Sequence, residues 1–156
     1  MAKRLKIGDI VEIETKKGLA YIQYVYHHDE PPRYGRLIRV LPGFFDKTPA
    51  SFSELVKQKE RFVAFCPIVQ AVNKGYMHIV GNEPVSEEFN KLPLFRARGG
   101  IDTDGKVVSW WLWDGEKEWK IGNLTPEQRK LPIREVINDT LLIERIESGW
   151  KPEETC

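Results

Sequence analysis

Three short runs of β-branched, aromatic and alternating residues fill most of the first 40 positions, and they constrain the fold more than any other feature of the sequence. The runs cover residues 7–14, 19–26 and 34–40. A Gly-containing turn separates the first two, and a loop with Pro31 and Pro32 separates the second from the third. Short runs bounded by Gly and Pro are typical of antiparallel strands. The sequence therefore predicts an SH3-like, curled β meander at the N-terminus.

Beyond this meander the sequence predicts short elements of both kinds. Ser51 or Ser53 is a candidate cap for a short helix that runs to Lys59. The near-continuous apolar run at residues 62–66 is typical of a buried strand, and Pro67 suits the first turn of a helix after it. Further strands are predicted over residues 77–80, 94–98, 107–113 and 118–121.

The C-terminal part of the sequence completes the fold class. Residues 139–148 fit a closing helix, with Asp139 as its cap and Gly149 at its end. A strand over residues 140–146 is the alternative. With either choice, the chain is predicted to be α+β: mainly antiparallel β with an SH3-like curled N-terminal meander and two or three short helices.

Length and charge narrow the class of protein. A chain of 156 residues that is 41% hydrophobic and 30% charged predicts one globular domain over residues 1–156. No stretch approaches the roughly 20 apolar residues that span a bilayer, and no apolar run of signal-peptide length follows the basic N-terminus, so we expect a cytoplasmic protein without a membrane partner. The 24 basic and 23 acidic residues disfavour nucleic acid as a partner, because nucleic-acid binders usually carry a basic excess.

The sequence carries no recognisable catalytic, cofactor or metal signature. It lacks the nucleophile elbow, the phosphate loop, the zinc-protease motif and the dinucleotide fingerprint. His27 and His28 are adjacent, so on a strand they point to opposite faces and rarely share one metal ion. Cys66 lies in an apolar run, where burial keeps a thiol unreactive, and Cys156 is a poor disulfide partner for it. We therefore predict no enzyme activity, no cofactor and no metal site.

The densest aromatic segment surrounds one predicted hairpin. Four of the five Trp residues fall between positions 110 and 119. An Asp-Gly pair predicts a turn at positions 114–115, which places Trp113 near Glu118 and Trp111 near Lys120. One interpretation is a central strand packed on both faces. A second is an exposed aromatic face for a partner protein, because Trp and Tyr dominate interface hot spots. A third, stacking on single-stranded nucleic acid, is weakened by the mixed charge.

Acidic residues gather in the predicted turns. They are Asp29 and Glu30, Asp102 and Asp104, and Asp114 with Glu116 and Glu118. Turns favour Asp for local hydrogen bonding alone, yet such carboxylates also suit a basic partner. We predict that exposed aromatic residues and turn carboxylates bind a partner protein. The candidate residues are Tyr24, Tyr26, Trp111, Trp113, Asp114 and Glu116.

The N-terminal runs resemble the immunity-protein-26 family of bacterial polymorphic-toxin systems. The resemblance is carried by residues 6–13, 18–24 and 34–40, and it continues more loosely through residues 62–68 and 79–84. These motifs are structural and not catalytic. The resemblance therefore bears on the fold and on the class of function, and it transfers no binding residue.

The resemblance implies a small cytoplasmic protein that binds a cognate toxin protein and neutralises it, with no chemistry of its own. Inhibitors of nuclease toxins are often acidic, whereas this chain is near neutral, so the activity of the toxin stays open. The alternative function is an SH3-like module that associates with nucleic acid, built on the meander and on the stacking capacity of the aromatic residues. The oligomeric state is also open.

Overall fold

The computed structural model describes residues 4–155. The strands are β1 (Asp9–Thr15), β2 (Gly18–His28), β3 (Gly35–Val40), β4 (Phe62–Phe65), β5 (Met77–Asn82), β6 (Phe95–Arg98), β7 (Trp110–Trp113) and β8 (Glu118–Gly122). The helices are α1 (Val69–Asn73) and α2 (Asp139–Ser148), with single 3₁₀ turns at Leu55–Lys57, Glu87–Phe89, Gln128–Lys130 and Pro152–Glu154. This content confirms the predicted α+β class. Cys156 lies outside the described residues.

The first sheet contains the predicted curled meander. Its strands are antiparallel throughout and lie in the order β4-β3-β2-β1-β5. Strand β5 pairs with β1 and forms the edge of the sheet opposite β4. Pairing shifts between Ile10 and Val11 and between Tyr24 and Tyr26, and such bulges increase the local twist. The long strand β2 lies in the middle of this sheet and ends at His28, where the candidate site begins.

The second sheet is the predicted Trp-rich hairpin with one added strand. Its strands lie in the order β6-β7-β8, and both pairs are antiparallel. The predicted register is confirmed, because Trp113 lies opposite Glu118 and Trp111 lies opposite Lys120. Strand β7 is therefore the central strand of a small sheet.

One irregular segment, residues 131–137, joins the two sheets. Its first part runs parallel to β6, where the amide of Arg96 donates to the Pro132 carbonyl at 2.9 Å. Its last part pairs in parallel with the end of β4, where the amide of Ile137 donates to the Phe65 carbonyl at 2.9 Å. The segment thus provides hydrogen-bond partners for backbone N–H and C=O groups at an edge of each sheet. Burying these groups without partners would cost free energy.

Helix α2 confirms the predicted closing helix, and the alternative strand is wrong. The predicted cap at Asp139 is also wrong by one residue. Asn138 has an extended backbone, and its side chain accepts a hydrogen bond from the amide of Leu141 at 2.8 Å. Asn and Asp cap helices equally well, so residue type alone does not show whether Asn138 or Asp139 is the cap. Gly149 ends the helix in a left-handed conformation, at φ +72°.

The predicted helix from Ser51 or Ser53 to Lys59 is wrong. The structure has only a 3₁₀ turn at Leu55–Lys57 in this region. The hydroxyls of Ser51 and Ser53 lie 3.0 Å from each other and cap no helix. Ser side chains form such local hydrogen bonds readily, which competes with helix formation.

Phe65, at the end of β4, lies where the two sheets meet. Its ring stacks on Phe95 of the second sheet, with centroids 5.1 Å apart, and both side chains are fully buried. Tyr34 and Trp113 lie within 5.2 Å and 6.2 Å of the same ring. Stacked and tilted aromatic pairs at these distances stabilise a fold beyond the area that they bury. Aromatic contacts therefore join the two sheets at this point, in addition to the segment at residues 131–137.

A buried polar network crosses the first sheet at Arg39, whose side chain is 3% exposed. Its guanidinium donates to the Gln23 side chain at 3.0 Å and to the carbonyls of Val56 at 3.0 Å and Gln58 at 2.6 Å. Its Nε lies 3.2 Å from the Glu60 carboxylate. A buried cation with these partners anchors the loop before β4 to the sheet.

Cys66 follows β4 and is fully buried, as its apolar surroundings predict. Burial, and to a lesser extent the charge of nearby Asp139, raises the pKa of its thiol to about 12. The thiolate is the reactive form of cysteine, so this side chain is inert at neutral pH.

Candidate partner-binding cleft

A cleft of about 530 Å³ opens between the loop after β2 and the turn between β7 and β8. One wall consists of residues 26–30 and the other of residues 114–116, with Lys91 and Leu92 completing the lining. We call it the acidic cleft. The two walls are more than 80 positions apart in the sequence, and the packing of the two sheets brings them together.

Negative charge dominates the rim of the acidic cleft. Four of the described residues that line it carry carboxylates: Asp29, Glu30, Asp114 and Glu116. Asp29 lies 3.6 Å from Arg33, but both side chains are exposed, and exposed pairs contribute little. Within the described residues, the structure gives no ion pair to the other three carboxylates. Of these three, Asp114 lies near the charge of Lys117, so Glu30 and Glu116 are the carboxylates most available to a partner.

Asp114 orders the turn that forms one wall. Its Oδ1 accepts hydrogen bonds from the amides of Glu116 at 2.9 Å and Lys117 at 2.8 Å. These bonds, first the one from Lys117, hold the pKa of the Asp114 carboxyl below its usual range. A carboxyl with a lowered pKa stays ionised as the pH falls, so this wall remains negative into mild acid.

Gly115 fixes this turn against the rest of the molecule. Its φ of +101° is a conformation that other L-residues rarely adopt. A Cβ atom built on Gly115 would lie 2.9 Å from Cδ1 of Leu92, a buried residue of the same cleft. The acidic turn therefore packs closely against Leu92, with little room for a side chain at position 115.

We expect Gly115→Ala to lower the free energy of unfolding by about 1–3 kcal/mol, because alanine is strained at this φ and collides with Leu92. Chemical denaturation monitored by Trp fluorescence measures the change. Gly100→Ala is the matched control, since nothing lies within 4 Å of its added Cβ and its φ is ordinary. Equal stabilities for the two variants would contradict this account of the turn.

His28 lies in the lining of the cleft with only 4% of its surface exposed. Its Nδ1 accepts a hydrogen bond from the amide of Tyr34 at 3.3 Å, so the proton of the neutral ring is on Nε2. That Nε2–H has no hydrogen-bond partner among the described residues. The ring packs edge-on against Trp113, with centroids 5.1 Å apart. A buried donor without an acceptor is costly and calls for an explanation.

The structure brings three of the six predicted partner residues into this cleft: Tyr26, Asp114 and Glu116. Trp113 lies beneath it, 5% exposed, and contacts the ring of His28. Trp113 therefore supports the cleft from the core and is not part of its surface.

The other two predicted residues have different surroundings. Tyr24 is buried, at 5% exposed, and its hydroxyl lies 3.1 Å from Nδ1 of His27, which lines the cleft. Burial raises the pKa of Tyr24, and the nearby charge of Arg36 partly offsets this. Trp111 is half-buried on β7 between Ala97 and Lys120 and does not line the cleft.

The Trp-rich strand is mainly core. Trp110 and Trp113 are each 5% exposed, and Arg96 stacks over the ring of Trp110 at 4.5 Å. The exposed aromatic of this region is Trp119 on β8, at 41%, which is not among the predicted partner residues. The interpretation as a packed central strand therefore describes Trp110 and Trp113 correctly.

Sequence reasoning missed the contribution of His28, Lys91 and Leu92 to the cleft. Asp29 and Glu30 were predicted only as acidic turn residues, and the sequence did not indicate that they lie near the turn at positions 114–116. The one sequence feature that points to the cleft is the repeated placement of carboxylates in turns. Nothing in the local pattern shows that two of these turns face each other.

The described residues contain no group of three or more His, Cys, Asp or Glu side chains placed to hold a metal ion. Over the same residues, every helix is too short or too polar to cross a membrane. Comparisons with models of protein families, with curated proteins and with solved structures found no match to this chain.

Proposed function

We propose that this protein binds a cognate bacterial toxin in the cytoplasm and neutralises it by direct contact, with no chemistry of its own. The observation that carries the proposal is the acidic cleft, where three of the predicted partner residues meet. The resemblance of the N-terminal strands to the immunity-protein-26 family supports the same class of function. Those strands correspond to β1, β2 and β3, and β2 leads directly into one wall of the cleft.

The surface of the cleft suits association with a protein. Its carboxylates come from two loops: hydrogen bonds to Asp114 order one, and the other directly follows the buried His28 at the end of β2. Four carboxylates against the single Lys91 leave the lining with an excess of negative charge, which steers a basic partner and speeds its association. The net charge of the chain is only +1, so this attraction is local to the cleft.

Tagged protein purified from its native host, followed by mass spectrometry, identifies the partner. We expect one stoichiometric protein that kills cells when it is expressed alone and is tolerated when it is expressed together with this chain. Recovery of nucleic-acid-associated proteins alone, lost after nuclease treatment, would contradict the proposal and favour the alternative nucleic-acid-associated module.

A further inference from the structure

Strand β8 is an edge strand of the second sheet. One of its edges pairs with β7, and across the described part of the chain no other element pairs with Glu118–Gly122. Residues 131–137 cover the opposite edge of this sheet, at β6. The first three residues of β8 are exposed, and Trp119 among them is 41% exposed. An open edge of this kind is a template for a further strand.

The hydrogen bonds of the hairpin determine which backbone groups face this open edge. The amide of Asp114 donates to the Lys117 carbonyl at 3.2 Å, so these two residues form a hydrogen-bonded pair at the turn. Bonded and non-bonded pairs alternate along an antiparallel ladder. In the observed register, Trp119 is therefore bonded to β7, whereas Glu118 and Lys120 are not. The N–H and C=O groups of Glu118 and Lys120 thus point away from β7.

We propose that β8 pairs antiparallel with β8 of a second copy of this chain, about a two-fold axis at Trp119. Glu118 of each copy then lies opposite Lys120 of the other, and the two Trp119 residues lie opposite each other. The outward N–H and C=O groups of Glu118 and Lys120 bond to each other in both directions across the axis. The two small sheets become one, in the order β6-β7-β8-β8-β7-β6.

The charges of β8 are complementary to themselves in this register and not in the neighbouring ones. Opposite charges directly across an antiparallel pair are favourable, and like charges are unfavourable. A centre shifted by one residue in either direction places Glu118 or Lys120 opposite its own copy. Lys120 has no ion pair in the described part of the chain, and Glu118, which binds Arg134 at 2.7 Å, is still 50% exposed. The charges therefore specify one register.

Trp119 adds apolar contact on the other face of the paired strands. Side chains alternate along a strand, so Trp119 points to the opposite face from Glu118 and Lys120. Because Trp119 is bonded to β7, it forms a non-bonded pair with its copy, in which Cα atoms approach to about 4.5 Å. Aromatic pairs at such positions stabilise a sheet, and this pair covers the exposed ring.

This inference is independent of the proposed function. Antiparallel pairing places the two turns at residues 114–117 at opposite ends of the joined strands. The pairing also uses none of the residues that line the acidic cleft.

Sedimentation velocity of the full chain, from micromolar to millimolar concentration, tests the pairing. We expect the mass to rise from that of one chain to that of two. Hydrogen exchange then locates the interface. The outward amides of Glu118 and Lys120 should exchange quickly in the monomer and slowly in the dimer, whereas the Trp119 amide should be protected at every concentration.

Two charge variants test the register. Lys120→Glu places like charges opposite each other at both ends of the pairing and should weaken self-association about tenfold or more. Glu118→Lys should do the same, because lysines then face each other. Mixed together, the two variants restore opposite charges and should form a mixed dimer. Lys74→Glu makes the same charge change at an exposed position after α1 and should leave self-association unchanged.

A chain that stays monomeric at millimolar concentration would overturn the inference. So would self-association that Lys120→Glu leaves intact, or folded variants, verified by circular dichroism, that form no mixed dimer. A dimer of the unaltered chain in which the amides of Glu118 and Lys120 still exchange quickly would assign the interface to another surface and would also overturn it.

Discussion

Replacing Phe65 by alanine is expected to lower the free energy of unfolding by about 3–5 kcal/mol. The side chain is fully buried, and it contacts Phe95 and Trp113 of the second sheet, His28 of the first, and Tyr34 in the loop between β2 and β3. The substitution leaves a cavity at the contact between the sheets, which the surrounding rings cannot fill without moving. It also removes part of the support for the acidic cleft.

Equilibrium denaturation in urea, monitored by Trp fluorescence and by circular dichroism, measures this loss. Tyr76→Ala serves as the control, because Tyr76 is 68% exposed and surface substitutions usually change stability by less than about 0.5 kcal/mol. A loss at Phe65 no larger than the loss at Tyr76 would show that the two sheets do not depend on this aromatic contact.

Arg39→Leu is expected to lower the free energy of unfolding by about 3–5 kcal/mol, because it removes the buried cation that pairs with the Glu60 carboxylate. Glu60, with 11% of its side chain exposed, then has the exposed Lys59, 3.6 Å away, as its ion-pair partner, and such an exposed cation compensates a buried charge poorly. The substitution also leaves the carbonyls of Val56 and Gln58 without this donor. The loop before β4 should therefore loosen as the fold is weakened.

The double variant Arg39→Leu with Glu60→Leu distinguishes the ion pair from simple packing. We expect it to be more stable than Arg39→Leu alone, since it leaves no buried carboxylate without its buried cation. Lys57→Leu, at an exposed pair with Glu54, provides a control with little effect. A double variant less stable than both Arg39→Leu and Glu60→Leu would mean that the charge of Glu60 does not cause the loss of stability in Arg39→Leu.

Local pattern was enough to predict much of the fold. The alternation in residues 7–40 indicated the meander, and the Asp-Gly pair at positions 114–115 indicated a hairpin in the observed register. Helix α2 was predicted over the observed range because its cap region, apolar face and terminal glycine all agree. These features depend on contacts between residues close in sequence, so short-range sequence patterns are enough to predict them.

The segment at residues 131–137 shows why the rest of the fold escaped prediction. It has no strand periodicity, and it is ordered by single parallel bridges to β6 and to β4. Its conformation depends on both sheets being in place. The burial of Arg39 also depends on contacts that are distant in sequence. Arg39 is a charged residue on a predicted strand, and its guanidinium is buried because it donates to carbonyls of a loop that follows later in the chain.

The candidate site could be predicted only in part, and for a related reason. Turn chemistry singled out Asp114 and Glu116, but their position relative to Glu30 depends on the packing of two sheets. The burial of His28 depends on Trp113 and Phe65, which lie far from it in sequence. Trp113 was predicted as a contact residue because an apolar strand gives no indication of which ring the core covers.

The most direct test of the central claim measures protection of cells against the partner toxin by variants of the cleft. Glu30→Gln with Glu116→Gln should require about twofold to tenfold more protein for equal protection, because the rim charges contribute modestly to affinity. Asp104→Asn with Glu144→Gln, which changes the charge equally elsewhere, should protect like the unaltered protein. Circular dichroism confirms that both variants are folded. Undiminished protection by the cleft variant would contradict the claim that the acidic cleft binds the toxin.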